Sequence, residues 1–351
     1  MVEGPRSSAI STFGGHLMVK IEETIRTHFA KKRVVIIGDL VADQFLNGTI
    51  SRVSREAPVF ILKHENTETL PGAAANAAAN VASLGGVPVL TGICGSDLNG
   101  EALLAELKKR NVDIQNTLID PSLKTTTKVR VVAGHHYAAR QQVIRIDYEN
   151  AAGISDELQA VLMRNLEDAL LTADAVIVSD YNGGVVTPAI FEKARKVATE
   201  RGIPIVVDSR FRLADFTGAT TATPNREEAE NILGKYFSIK DCVALREKLN
   251  YRSLLVTNGN EGMLLVEDGK PPLTMDAVGS KQPVDVTGAG DTVIAAYTLG
   301  LASGLSFANA ALVANHAGGI SVMKKRTATV TADELIRSLR SEGSLVSQQA
   351  I

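Results

Sequence analysis

Hydrophobic and polar positions follow two rhythms along this chain, and their order predicts repeated βα units. Short apolar runs, two of them closed by an aspartate, recur at Val34-Val-Ile-Ile-Gly38, Val87–Thr91, Ala175-Val-Ile-Val-Ser-Asp180, Ile203-Pro-Ile-Val-Val-Asp208, near Thr221, at Ser253-Leu-Leu-Val-Thr257 and at Gly262-Met-Leu-Leu-Val266. A parallel strand covered on both faces presents such a run. Between the runs lie segments of helical character: Val19–Ala30, carrying Ile21, Ile25 and Phe29, then Gly100–Arg110, Asp156–Leu171, Pro188–Arg201, Arg226–Leu233 and Asp241–Leu249. The alternation predicts an α/β fold, a doubly wound, mainly parallel sheet in three layers.

Two stretches break this rhythm. Residues 45–64 and 124–147 alternate apolar and polar positions with no helical period, so each predicts a strand pair, and together they predict one small antiparallel sheet lying over the site as a lid. The tip Gly134-His-His-Tyr-Ala-Ala-Arg140 holds two adjacent histidines, which a strand would point to opposite faces, an arrangement poor for a shared metal. Pro71–Gly85 is almost wholly small residues and predicts a helix approached closely by other backbone, with Asn76 and Asn80 on one face. Residues 1–18 read as a loose Ser/Gly-rich leader. The organisation expected is a leader and helix over 1–31 and one domain over 32–345.

Composition narrows the function classes. The formal net charge of −2 gives no electrostatic case for nucleic acid, and the absence of Trp weakens a base-stacking reading. No stretch is long and apolar enough for a membrane span, and the first residues have no apolar signal core. Cys94 and Cys242 lie far apart in apolar or helical contexts, as buried thiols in a reducing compartment would, so a cytoplasmic protein is expected.

The candidate chemistry centres on Asp285-Val-Thr-Gly-Ala-Gly-Asp291 followed by the apolar Thr292–Leu299. Gly288 and Gly290 permit positive φ and close approach of a ligand, and the helix start aims free N–H groups at an anion. An acid in that turn, Asp291, suits a base beside a phosphoryl group, although an acidic first helical turn also favours the dipole by itself. Asp43, Asp180 and Asp208 stand near the C-terminal ends of apolar runs, where open α/β sheets place ligands, and carboxylates accept hydrogen bonds from sugar hydroxyls; each also suits a helix cap.

These residues carry a resemblance. The Asp285–Asp291 stretch resembles the C-terminal signature of the ribokinase and PfkB carbohydrate kinase family, and Pro71–Gly85 resembles its N-terminal glycine/asparagine signature; the resemblance covers about Arg33 to Leu339. Within the family the chain is most similar to heptose-7-phosphate kinases, on Gly38-Asp39 with Asp43, Ser51-Arg-Val-Ser-Arg-Glu-Ala-Pro58, Thr126-Thr-Lys-Val-Arg130, Gln141–Asp147, Ser179-Asp-Tyr181 and Thr223-Pro-Asn225 with Glu228.

The resemblance implies a ribokinase-like fold and an ATP-dependent kinase. It makes Asp291 the base and Gly288, Ala289 and Gly290 the anion hole. It assigns Asn225 and Glu228 to Mg²⁺ through water, Thr257, Gly259 and Asn315 to the nucleotide, and Asp43, Asn76 and Asp180 to sugar hydroxyls. Arg52, Lys128, Arg130, Arg145 or Arg210 would meet a substrate phosphate, and a monovalent cation such as K⁺ has a place near Asp285 and Thr287. The implied substrate is D-glycero-D-manno-heptose 7-phosphate, phosphorylated at the anomeric hydroxyl, with another sugar, sugar phosphate or nucleoside as the alternative. A non-catalytic sugar-binding regulator and a dinucleotide-dependent oxidoreductase are rivals of other classes; the latter lacks Gly-x-Gly-x-x-Gly after its first strand. Ala73, where a second glycine is usual, and Asp208-Ser-Arg210, where Asp-Pro-Lys is usual, depart from the heptose pattern. A homodimer through the lid is expected, because a small β layer exposes its edges.

Overall fold

Val34 and Ile36 point to one side of the first strand and Val35 and Ile37 to the other, all fully buried, so both faces of the sheet need a covering layer. The same split recurs at Val206 against Ile205 and Val207, and at Leu255 against Leu254 and Val256. In the computed structural model, which describes residues 14–134, 140–150, 153–280 and 282–348, these runs become strands of one large sheet. The strands are β1 (Arg33–Gly38), β2 (Leu40–Val53), β3 (Phe60–Ala73), β4 (Val87–Thr91), β5 (Ile93–Gly95), β6 (Leu118–Asp120), β7 (Thr127–Gly134), β8 (Gln141–Tyr148), β9 (Ala175–Asp180), β10 (Ile205–Ser209), β11 (Thr221–Ala222), β12 (Ser253–Thr257), β13 (Met263–Glu267) and β14 (Leu273–Met275). The helices are α1 (Gly14–Thr27), α2 (Ala74–Ser83), α3 (Leu98–Lys109), α4 (Asp156–Leu170), α5 (Pro188–Arg201), α6 (Arg226–Leu233), α7 (Ile239–Lys248), α8 (Ala289–Ala302), α9 (Phe307–Ser321) and α10 (Ala332–Gln348).

The large sheet runs β14-β13-β12-β11-β10-β9-β1-β4, parallel except at β13 and β14. Helices α1, α2, α3, α8, α9 and α10 bury apolar residues on one face, and α4, α5, α6 and α7 on the other, giving the three layers. Helix α1 packs on this core: Ile21 and Ile25 are buried, as is Phe29 just after it, and Arg340 of α10 donates to Glu22 at 2.9 Å.

The smaller sheet has the order β3-β2-β7-β8. Its two hairpins are antiparallel, and a parallel pairing of β2 with β7, from Ala42 opposite Thr127 to Thr49 opposite Gly134, joins them. The first hairpin is longer at its root than residues 45–64 suggest, so Asp43 is a residue of strand β2 and not of a loop after β1, whereas the second begins only at Thr127. The histidine tip falls outside the described residues.

The small-residue helix begins later than its composition predicts. Pro71, Gly72 and Ala73 still pair with Ala42, Val41 and Leu40, and only Ala74 starts α2. Proline is tolerated there because β3 is the outer strand of its sheet. Ala73 turns the chain from strand to helix with φ 52° and ψ −129°, a conformation costly for a residue with a Cβ. The glycine usual at this position would take it without strain.

Candidate active site

The start of α8 is the centre of the site. Gly288 caps it with φ 76°, and a Cβ there would lie 2.5 Å from the Asn76 amide nitrogen, so both conformation and space demand glycine. Gly290 differs from expectation: its backbone is not left-handed, and a Cβ on it meets nothing within 4 Å. It lines the cleft, where the missing side chain leaves room for a ligand over the helix N-terminus. Asp291 to Gly300 are all buried, so the helix is rigidly seated and its first N–H groups have a fixed direction.

Asp291 is 4% exposed and is held by two neutral donors. The Asn76 amide donates to Oδ2 at 2.7 Å, and the Tyr181 hydroxyl lies 3.3 Å from Oδ1. Behind them Asn80 donates to Asn76 Oδ1 at 3.3 Å, and the Thr292 hydroxyl donates to Asn80 Oδ1 at 3.1 Å. Burial pushes the Asp291 carboxyl up to about 7, opposed by the Asn76 hydrogen bond and reinforced by the charge of Asp43. A buried carboxylate that takes a proton near neutrality has the properties of a general base.

Asn76 was expected to hold sugar hydroxyls. Its amide donates to Asp291 while its oxygen accepts from Asn80, so it fixes the orientation of the Asp291 carboxyl. Asp180 departs from expectation: it is fully buried, paired with Arg212, and accepts from the Ser209 hydroxyl at 2.7 Å. The residue that ends β9 thus anchors the loop after β10 and does not face the cleft. Asp43 stays with the site. It is buried at the lid root, pairs with Arg130 at 2.5 Å, and leaves its Oδ2 over Gly72, where a Cβ would sit 2.6 Å away.

The lid cations divide. Lys128, Arg130 and Arg145 act on the Asp43 carboxyl, which burial raises and these charges lower. Lys128 stands 5.6 Å over the Tyr181 ring, and desolvation, with Arg210 and Arg145 adding repulsion, lowers its ammonium pKa. Arg145 forks onto Asp147 at 2.8 and 2.6 Å. Arg52 sits exposed at the outer end of β2, opposite Ile61, away from this group.

At the α8 N-terminus two clefts meet at Thr257, Val286 and Gly290. One is mostly apolar and takes in Gly259, Met263, Val278, Val293 and Asn315. The Asn315 amide donates to the Asp276 carbonyl at 2.7 Å, which fixes the chain after β14 as one wall. The other cleft is polar, with Asp208, Arg210, Asn225, Glu228 and Asp291. Asn225 and Glu228 form a capping box at α6, with the Glu228 N–H donating to Asn225 Oδ1 at 2.9 Å and the Asn225 N–H to Glu228 Oε2 at 2.8 Å. Glu228 Oε1 has no part in that box. A bridge from Asn225 to Thr257 pins this corner to β12.

Burial and the neighbouring acids raise the carboxyls of Asp208 and Glu228, so this cleft is short of positive charge. Among the described residues no three acidic, His or Cys side chains are grouped to hold a metal ion by themselves. That donor set fits a magnesium ion that keeps its water shell and meets Glu228 and Asp208 through it. Asp285, near which a monovalent cation was expected, already accepts N–H bonds from Thr287 at 2.9 Å and Arg326 at 2.8 Å.

Three residues of this site had no role assigned from the sequence. Asp208 stood only among the strand-end acids. Tyr181 stood only in Ser179-Asp-Tyr181. Asp39 is buried and accepts from the N–H groups of Tyr181, Gly183 and Val185 at 2.7, 2.9 and 3.2 Å, so it shapes the loop that presents Tyr181. Cys94 and Cys242 are buried with thiols raised to about 11, which leaves them out of the chemistry.

A doubly wound sheet with a β lid, and a buried acid in the N-terminal turn of a glycine-capped helix, define a sugar kinase of ribokinase-like fold. The chain belongs to the pfkB family of carbohydrate kinases, whose family model matches residues 31–334. It is 37% identical over 321 residues to the bifunctional protein HldE of Aeromonas salmonicida (strain A449), covering 90% of this chain and 65% of that protein. To HldE of Nitrosococcus oceani it is 39% identical over 324 residues, covering 89% and 65%. The chain therefore spans less than two thirds of the length of the curated relatives it matches. Arabidopsis thaliana ribokinase, solved with ribose and ATP, superposes with a TM-score of 0.66 at 21% identity, over 88% of this chain and 98% of that one. Escherichia coli phosphofructokinase-2, solved with substrates and products, gives a TM-score of 0.72 at 17% identity, over 88% and 99%. These two likenesses establish the fold.

Proposed function

We propose that this chain transfers the γ-phosphoryl group of ATP to the anomeric hydroxyl of D-glycero-β-D-manno-heptose 7-phosphate, forming the 1,7-bisphosphate. The observation that carries the reading is the position of Asp291, between a polar cleft at the α8 N-terminus and a lid root bearing Asp43, Lys128, Arg130 and Arg145. Asp291 takes the proton of the acceptor hydroxyl, and the N–H groups at Gly288, Ala289 and Gly290 neutralise charge on the transferring oxygens. The purine lies in the apolar cleft beside Thr257, Gly259 and Asn315. Asn225, Glu228 and Asp208 would hold hydrated Mg²⁺, which would supply further charge neutralisation at the phosphates. Lid cations, with Arg210 from the facing wall, suit a substrate that carries a phosphate of its own. The similarity to HldE proteins supports the heptose assignment.

A panel of sugars and sugar phosphates scored by ADP release tests it. The heptose 7-phosphate is expected to give kcat/KM at least about tenfold above ribose, fructose and fructose 6-phosphate, a factor within what pocket contacts supply. Equal turnover of unphosphorylated sugars would overturn the sugar-phosphate assignment.

We further propose that two chains pair through their lids in the cytoplasm. The outer strands β3 and β8 leave edges, and Val53, Phe60, Ile144 and Ile146 are exposed on this sheet. Sedimentation at micromolar concentration is expected to give a dimer that Ile144→Glu together with Ile146→Glu converts to monomer. A parent monomer at that concentration would refute the pairing.

A further inference from the structure

We infer that Tyr181 is a positioning residue for the base, its hydroxyl holding Asp291 Oδ1 toward the acceptor and exchanging donor for acceptor as that oxygen gains the proton. The inference rests on the reading of Asp291 as base and assigns which of its oxygens works. The two donors on Asp291 differ in kind. Asn76 presents an amide N–H₂, fixed in that orientation because Asn80 donates to its oxygen, and an N–H cannot accept. Oδ2 therefore keeps its hydrogen bond in either protonation state.

Tyr181 presents a hydroxyl, which donates and accepts. When the acceptor O–H bond breaks, its oxygen bonds to the γ-phosphorus, the bond from phosphorus to the ADP oxygen breaks, and the proton passes to Asp291 Oδ1. The Tyr181 hydroxyl then turns by rotation about its C–O bond to accept from the new O–H. No other proton or reactant is required.

The loop is built to keep the phenol in place. The three N–H bonds to buried Asp39 fix the chain from Tyr181 to Val185, and Asn182 and Gly184 take positive φ of 63° and 90° to make the turn. Lys128 covers the ring from the lid at 5.6 Å, so the residue joins the lid to the base. The phenol is faced by Asp291, Asp208, Glu228 and Arg210, while Asp291 is faced by Asn76, Asp43, Tyr181 and Lys128. The negative charge of Asp291, followed by burial, raises the phenol well above its ordinary value, so it remains protonated and does not compete as a base.

Tyr181→Phe tests this, because it removes one oxygen and keeps the ring. A lost hydrogen bond to the ionised carboxylate raises the carboxyl pKa, so the acid limb of kcat/KM is expected to move to higher pH by about half to one unit. We expect kcat to fall about tenfold with KM for ATP unchanged. Fluorotyrosine at the same position is a stronger donor and is expected to move the limb to lower pH. A packing role alone would lower the melting temperature and leave the limb in place in both variants, and that result would overturn the inference. The same assays on Asp291→Asn separate the two readings: an inactive Asn variant with an unmoved limb in Tyr181→Phe refutes only the role of Tyr181, whereas an active Asn variant refutes the base itself.

Discussion

Asp291→Asn is expected to lower kcat by on the order of a hundredfold or more while ATP binding stays close to that of the parent, as removal of a general base should. Asparagine fits the site without repacking, since its oxygen can accept from Asn76 and its amide can donate to the Tyr181 hydroxyl. Turnover within a few-fold of the parent would exclude Asp291 as the base.

The same substitution is expected to stabilise the fold at alkaline pH. Burial holds the Asp291 carboxyl at about 7, whereas an unfolded aspartate ionises near 4. Between those values the folded chain binds the extra proton, so stability is fully present at low pH and falls as the pH rises through about 7. Asparagine does not titrate, so the variant should melt above the parent at pH 8, with the gap closing toward pH 4. Equal melting temperatures at both extremes would mean that the Asn76 and Tyr181 bonds offset the burial cost. The parent's kcat/KM should rise with pH through about 7 as the carboxylate forms.

Gly288→Ala is the second large effect. The new methyl group would stand 2.5 Å from the Asn76 amide and 3.2 Å from the Thr327 methyl, on a backbone with φ 76°. Non-glycine residues in the left-handed region cost roughly 1–2 kcal/mol, so the melting temperature should fall by several degrees. Relief of the contact pushes Asn76 away from Asp291, and turnover is expected to drop about tenfold or more. Gly290→Ala is the control. It meets no protein atom within 4 Å and has no left-handed backbone to strain, so it should keep the parent's melting temperature and raise KM for ATP. An unchanged kcat in Gly288→Ala would show that Asn76 does not orient the base.

Much of the architecture was legible because burial leaves a strong mark on short strands. Ala175–Asp180, Ser253–Thr257 and Val87–Thr91 form strands with the bounds that their apolar runs predict, and Pro188–Arg201 and Arg226–Leu233 form helices with theirs. The lid was legible as two β excursions, but not its parallel joint, since strand direction across a sheet depends on how the chain returns and not on alternation. The helix start at Ala74 was hidden because Pro71-Gly-Ala73 suits a helix entry as well as an outer strand.

The sequence by itself determined the βα order, the lid segments, the glycine-capped helix and the presence of an acid in its first turn, because each follows from local pattern and backbone chemistry. Tertiary structure alone decided which strand-end acid faces the cleft. Asp180 ends β9 and Asp208 stands one residue before the end of the neighbouring β10, yet Arg212 takes the first into the interior, while the second lines the cleft with Glu228. It also decided that the Asn76 amide donates to Asp291 and that Tyr181 reaches the same carboxylate. These pairings join residues more than a hundred positions apart, and no local pattern encodes a hydrogen bond that exists only once α2, α8 and the loop after β9 have packed together.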